Sequence, residues 1–271
     1  MRPAAKISGG TNWYDAPLYY DIIFDADTGL EASFLEVMYE RHGRDKSRGR
    51  RRSVLEPACG TGRLIRSLTS RGWNVSGFDA NPSSLAFARD RLARENLKAH
   101  LWEDRMESFR VQSRHRFDLA HCLVSTFKYL QNEEDAFACM RRVADVLRPG
   151  GLFVLGIHLT DYSNPRVNHE RWVASRAGIE VVCNTRSWPA DREKRREKLR
   201  SRIRATHPDG QKVSQETCWE FRTYSAKQIQ KLLARIPSLT LVACHDFRYD
   251  PGEERELNDS YSDAILVLRR E

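Results

Sequence analysis

Between Ser53 and His158 the chain alternates short β-rich runs with helical patterns, and no other feature constrains its fold as strongly. Strands separated by helices imply βαβ units and a parallel sheet. "SVLEPA" reads as the first strand, with Leu64 and Leu68 on the apolar stripe of the helix that follows. "NVSGFD" is a second strand, ending at Asp79. Asn81 before Pro82 is a helix start, a capping side chain ahead of a proline at the first helical position. Leu85, Ala88 and Leu92 carry that helix along one face. "AHLWED" and "FDLAHCLVS" supply the third and fourth strands. Phe137, Met140, Val143 and Leu147 mark a helix that "RPGG" terminates, and "LFVLGIH" is a buried fifth strand.

After His158 the rhythm changes. Runs such as "IEVVCNT" and "KVSQETCWEFRTY", with "HPDG" at 207–210 as a hairpin turn, predict an inserted antiparallel sheet. "SAKQIQKLLARI" returns to helix behind a Ser225 cap, and "LTLVACHDF" and "SDAILVLRR" close the main sheet. Four regions are expected: an N-terminal helical lid and basic linker (1–52), a core (53–159), the lobe (160–224) and the completing helix and strands (225–271). The lobe's aromatic and β-branched residues need a surface to cover, so it is expected over the substrate side of the sheet. Self-association into a homodimer is the second role expected of it.

Charge narrows the partners. The net charge of +8 is concentrated: residues 44–52 hold six Arg/Lys against one Asp, and 192–204 hold eight against two Glu. Outside these clusters the chain is slightly acidic, which argues against nucleic acid as the partner. The six cysteines are scattered without a C-x-x-C pair or a histidine cluster, a pattern of reduced thiols with no metal site. The start "MRPAAKISGG" has no apolar leader, and the longest apolar run is too short for a bilayer. A cytoplasmic protein is expected.

The strand "VLEPA" runs into a Gly60-x-Gly62 turn and then a helix, a cradle for a nucleotide-like ligand. Ile65 stands where a dinucleotide fingerprint would place a third glycine, and no Gly-Lys-Ser/Thr of a phosphate loop follows. Glu56 precedes the turn, and Asp79 ends the next strand 23 residues later. A carboxylate there can accept both hydroxyls of a ribose, each bond contributing roughly 1.5–3 kcal/mol. A ribose without a phosphate cradle points to a nucleoside.

In order and spacing, "VLEPACGTGRL", "VSGFDAN", "LWEDRMESF", "FDLAHCLVSTFKYL" and "VLRPGGLFVLGIH" resemble the core motifs of class I S-adenosylmethionine-dependent methyltransferases. The N-terminal "YYDIIF" and the lobe are similar to small-molecule N-methyltransferases acting on amino sugars or glycine. The resemblance implies a Rossmann-like, mostly parallel seven-stranded sheet flanked by helices, with the lobe inserted. It implies S-adenosylmethionine as cofactor, its methionine end on Ala58 to Gly62 and its ribose on Asp79, with Ala80 beside it. Asp104 would face the adenine amino group between Arg105 and Met106, and Leu123 would offer its backbone to the methionine amine. Ala58 departs from the family's usual glycine.

Each candidate has a plainer reading. Glu56 is also a strand-end acid, and "DRME" also reads as a capping box between Asp104 and Glu107. Arg63 opposes the dipole of its own helix, a cost offset at a cofactor carboxylate but absent for a solvated side chain. Tyr129 and His158 lie at strand ends where a base could act, with Tyr20 arriving from the lid. Hydrophobic packing and a satisfied strand-end histidine are the alternatives. The function expected is methyl transfer to a small-molecule acceptor, most simply an amine. RNA or protein methylation, motivated by the cluster 192–204, and a non-catalytic scaffold are the alternatives.

Overall fold

A computed structural model describes residues 7–8, 12–44, 50–111 and 116–271. The first residues of the expected lid and the middle of the basic linker lie outside the described residues. A short turn of 3-10 helix at Trp13–Asp15 leads into α1 (Pro17–Phe24) and α2 (Thr28–His42), after the two-residue strand β1 (Ile7–Ser8). The core then alternates β2 (Ser53–Pro57), α3 (Arg63–Ser70), β3 (Asn74–Asp79), α4 (Pro82–Arg94), β4 (His100–Glu103) and β5 (Phe117–Cys122). A 3-10 turn at Thr126–Tyr129, α5 (Glu133–Val146) and β6 (Leu147–His158) follow. β7 (Asn168–Arg176), β8 (Ile179–Ser187), β9 (Arg196–Thr206) and β10 (Lys212–Arg222) build the lobe. The chain finishes with α6 (Ala226–Ala234), β11 (Leu239–His245) and β12 (Asp263–Arg270).

Seven strands form the main sheet in the order β11-β12-β6-β5-β2-β3-β4. β6, β5, β2, β3 and β4 run parallel, and β12 is antiparallel to β6. This is the Rossmann-like architecture read from the alternation. β2 and β5 are buried along their whole length, as strands covered by helices on both faces must be. The order reverses between β2 and β5, so the carboxyl ends of these strands flank the crevice where such sheets bind ligands.

Local chemistry sets the element ends. The Asn81 side chain accepts from Ser84 N at 2.8 Å ahead of Pro82, and Ser225 and Gln228 form a reciprocal capping box on α6. At the "HPDG" turn Gly210 N donates to His207 O across 2.9 Å, with Gly210 at a φ of 82°.

β10, β9, β8 and β7 form the antiparallel sheet of the lobe, and β1 adds to β10 in parallel. The segment before Ser53 therefore also contributes a strand, which a mostly helical reading does not foresee. Along β9 the strict alternation sends Glu197, Leu199, Ser201 and Ile203 to one face and Arg196, Lys198, Arg200 and Arg202 to the other. α1 lies on the lobe, where Trp13, Ile22 and Ile23 pack with Val181, Cys183 and Ile203. Asp21, wholly buried, pairs with Arg91 of α4 and, at 2.6 Å, with Arg176 of β7. One carboxylate thus joins lid, core and lobe.

Candidate functional site

The turn after β2 is built on three left-handed residues, Ala58, Gly60 and Gly62, at φ of 54°, 52° and 71°. Cys59 N extends the β3 pairing to Phe78 O at 2.9 Å, and Gly62 N closes back on Cys59 O at 2.9 Å. The two glycines serve different ends. A Cβ on Gly62 would lie 2.8 Å from the Ala88 Cβ, so Gly62 lets α3 approach α4. A Cβ on Gly60 would meet nothing within 4 Å and would project into open space. Close approach of a ligand thus rests on Gly60, with Gly62 serving helix packing. Ala58 adopts its conformation at the cost, about 1–2 kcal/mol, that a Cβ brings there.

Asp79 is fixed by the turn it faces. Gly60 N donates to its Oδ2 at 2.7 Å and Asn81 N to its Oδ1 at 2.8 Å. Burial raises its pKa, against the pull of these backbone donors. A carboxylate offers about four lone-pair positions, so each oxygen keeps one for a ligand hydroxyl. Ala80 beside it is exposed.

A small pocket opens beside the turn, lined by Glu56, Ala58, Gly60, Arg63, Leu123 and Tyr20 among others. Glu56 is buried with its Oε2 unpartnered. Burial pushes its pKa well up, with the Arg63 guanidinium opposing. Behind it His121 of β5, fully buried, places Nδ1 4.0 Å from Glu56 Oε1. Burial, then the Arg63 charge, lowers the His121 pKa to about 3. Arg63 is not solvated. It pairs with Glu31 of α2 and donates to Thr28 Oγ1 at 3.1 Å, while Tyr249 donates to Glu31 at 3.1 Å. Burial works against the Arg63 charge, and Glu31 more than offsets it.

Past the end of β4, Asp104 Oδ1 accepts from Arg105 N at 2.8 Å, and its Oδ2 from Arg110 N at 3.0 Å and from Trp102 Nε1 at 3.3 Å. No helix starts here, so the capping-box alternative fails: residues 104–110 form a turn. Arg105 is exposed and bonds Glu107 at 2.5 Å, while Met106 is buried in the cluster that holds Phe78 and Phe109. The Leu123 carbonyl accepts from Thr126 N at 3.3 Å and Thr126 Oγ1 at 3.1 Å. Leu123 therefore meets the pocket as part of its wall, with its carbonyl already engaged.

A larger cavity of about 470 Å³ lies between the strand ends and the lobe. Tyr20, Val124 and Thr126 line both it and the smaller pocket, so the two meet there. Val124 and Ser125 hold φ of 54° and 60°, and a β-branched residue in that region is strained. Ser125 compensates by accepting from His158 N at 2.8 Å.

The three catalytic candidates all reach this cavity. Tyr20 stacks among Trp13, Tyr14 and Phe24 at ring separations of 5.3, 5.0 and 4.6 Å. Tyr129 accepts a hydrogen bond from Tyr14 at 2.9 Å. Burial raises the pKa of all three phenols, so they are protonated at neutral pH and are donors, not bases. His158 is open to the cavity but enclosed by protein, and burial with the Lys128 charge lowers its pKa to about 4. Lys128 is itself buried and bonds Glu197 of the lobe at 3.1 Å. Trp13, Tyr14, Glu31, Lys128 and Glu197 escape a reading of motifs, because each acts through a partner distant in sequence. The one available signal was the aromatic density of "NWYDAPLYY".

Residues 54–151 match the family described as methyltransferase domain. The chain carries a methyltransferase domain. The domain is 29% identical over 139 residues to a Streptomyces fradiae dTDP-3-amino-3,6-dideoxy-alpha-D-glucopyranose N,N-dimethyltransferase, covering 50% of each chain. It is 26% identical over 133 residues to a ubiquinone biosynthesis O-methyltransferase of Nitrosospira multiformis, covering 49% of this chain and 51% of that one. The chain spans about half the length of the curated relatives it matches. In three dimensions it resembles an S-adenosylmethionine-dependent methyltransferase from Clostridium acetobutylicum, with 18% identity, a TM-score of 0.73 and coverage of 96% and 99%. The sugar N-methyltransferase KedS8 from Streptoalloteichus is similar, with 19% identity, a TM-score of 0.70 and coverage of 100% and 99%. At such identities the likeness is one of fold.

The residues present suit S-adenosylmethionine. The orphaned Glu56 carboxyl meets a pocket that would take an ammonium, the Gly60 face is open, and Asp79 keeps free acceptor sites beside it. Among the described residues no helix is long and apolar enough to cross a membrane.

Proposed function

We propose that the protein transfers a methyl group from S-adenosylmethionine to a small-molecule amine. The observation that carries this reading is the junction at Tyr20, Val124 and Thr126, where the pocket of the glycine turn opens into the aromatic cavity. When bound, the cofactor supplies an electrophilic methyl on a sulfonium, with a thioether as leaving group. The chain's work is then alignment and exclusion of water, worth roughly 7–11 kcal/mol in well-oriented systems. Asp79, Glu56 and Gly60 hold the cofactor, with Ala58, Ala80, Arg63, Asp104, Arg105, Met106 and Leu123 around it. Tyr20 roofs the junction, Tyr14 and Tyr129 orient the acceptor, and His158 takes the released proton on a ring nitrogen. A histidine titrating near 4 is free to accept at neutral pH and returns the proton readily to water.

The amine is supported by the relative named as an amino-sugar N,N-dimethyltransferase and by the sugar N-methyltransferase fold neighbour. A cavity of about 470 Å³ is of the size that takes a small molecule. The cations of β9 face away from it, Arg202 toward Glu216 and Arg200 toward Trp188. Purified protein incubated with methyl-labelled cofactor, amine metabolites and RNA should label the amine fraction. Label confined to RNA or to protein would overturn the assignment.

A further inference from the structure

The aromatic cavity has a charge pattern that selects among amines. On the lobe's inner face β7 contributes Glu170 and Trp172, and β9 contributes Glu197. Glu197 is neutralised by Lys128 at 3.1 Å. Glu170 receives only an amide hydrogen bond, from Asn168 Nδ2 at 3.0 Å, and pairs with no cation among the described residues. Beside it a continuous aromatic wall runs from Trp172 through Phe24 and Trp13 to Trp219, with ring separations of 5.8, 5.9 and 4.7 Å. Both Trp13 Nε1 and Trp219 Nε1 are buried without a partner, and both residues line the cavity. Trp13 Nε1 lies toward the Tyr14 and Tyr129 oxygens, whereas the Trp219 donor has no such neighbour recorded among the described residues. The other ionic lining groups are Asp161 and Arg166, in the loop before β7.

Resting on the methyltransferase reading, we infer that the acceptor is a hydroxylated amine with a second, protonated nitrogen, and that the Glu170 carboxylate holds this nitrogen beside the aromatic wall. The nitrogen that receives the methyl must be unprotonated to attack, so the charge recognised by Glu170 belongs to another nitrogen of the same molecule. In the transfer the acceptor lone pair forms the N–C bond, the C–S electrons pass to sulfur, and the acceptor proton leaves to solvent by way of His158. An aromatic wall and one carboxylate are the elements that bind ammonium groups, and the free Trp219 indole N–H suits a hydroxyl or ether oxygen.

The test uses the full-length protein saturated with S-adenosylhomocysteine and three probes: 2-deoxystreptamine, inositol and thymidine diphosphate. Calorimetry should show binding of the diamine alone. Glu170→Gln should weaken it at least about tenfold, the loss of one hydrogen-bonded charge. Glu216→Gln on the opposite face should leave it unchanged. A diamine affinity within twofold of wild type in Glu170→Gln would overturn the inference. So would thymidine diphosphate binding more tightly than the diamine, or no diamine binding at millimolar concentration. S-adenosylhomocysteine titrated into the same samples keeps the two claims apart. Its failure to bind would sink the methyltransferase reading, whereas its binding beside a failed diamine result sinks only the acceptor class.

Discussion

Tyr14 donates its phenolic hydrogen to the Tyr129 oxygen across 2.9 Å, joining residues 115 positions apart in the chain. One comes from the 3-10 turn before α1, the other from the turn after β5, and the bond spans the cavity wall. Trp13 packs on Tyr14 at 5.6 Å and on Trp219 of the lobe at 4.7 Å. The entry of the lid, the core and the lobe thus meet around one pair of hydroxyls.

This pair should matter to turnover and not to the cofactor. Tyr14→Phe and Tyr129→Phe should each lower kcat/KM by roughly 3- to 10-fold, the worth of a neutral hydrogen bond in a buried setting. The double variant should lose less than the product of the two, since either change breaks the same bond. Steady-state kinetics on the four proteins check this, with S-adenosylhomocysteine affinity as the control. Fully multiplicative losses would show that the hydroxyls act separately.

Asp79→Ala should weaken S-adenosylhomocysteine by ten- to hundredfold, equivalent to about 1.5–3 kcal/mol. The Gly60 and Asn81 amides lose their acceptor as well, so part of the loss comes from a loosened turn. Calorimetry on a protein with native circular dichroism reads it. Unchanged affinity would remove the ribose assignment.

The two glycines should separate cleanly. Gly60→Ala should weaken cofactor binding while costing only the about 1–2 kcal/mol of a Cβ in the left-handed region, because the new methyl enters open space. Gly62→Ala should cost the same backbone strain and about 1–3 kcal/mol more, because its methyl meets Ala88 at 2.8 Å. Thermal melts and calorimetry on both variants decide. The opposite pattern would place the ligand against Gly62.

The sheet was legible because its strands are apolar on both faces and its helices carry caps such as Asn81 and Ser225, all local signals. The glycine turn and Asp79 were legible for the same reason: the whole cradle is written within Leu55 to Ala80. Arg63 was not, since nothing near it in sequence announces that Glu31 of α2 neutralises it. The tyrosines were visible as residues but not as neutral donors, because their raised pKa values come from burial by elements far along the chain. Glu170 and Glu197 lie in a region read as strands with charged faces. Which face turns inward depends on the lobe's docking against α1, a tertiary fact.

The buried pair behind the cofactor turn predicts a particular acid sensitivity. His121 has a folded pKa of about 3 against an ordinary histidine's 6.5, so the unfolded chain binds the proton first. Stability should therefore fall as pH drops below 6.5, by roughly 2 kcal/mol from this one group by pH 5. Glu56 works in the other direction: its raised pKa means that the folded state takes up the proton, so acidification favours folding through that group. Asp118 and Glu133, whose pKa values are lowered, lose their contributions only below about 4.5, beneath this window. Urea midpoints for wild type, His121→Leu and Glu56→Gln at pH 7, 6 and 5 would resolve the terms. The His121→Leu profile should be flatter than wild type, with a remaining slope from His158 and His42, whose pKa values are also lowered. The Glu56→Gln profile should be steeper. Parallel profiles for all three proteins would mean that neither group is held in its neutral form beneath the cofactor pocket.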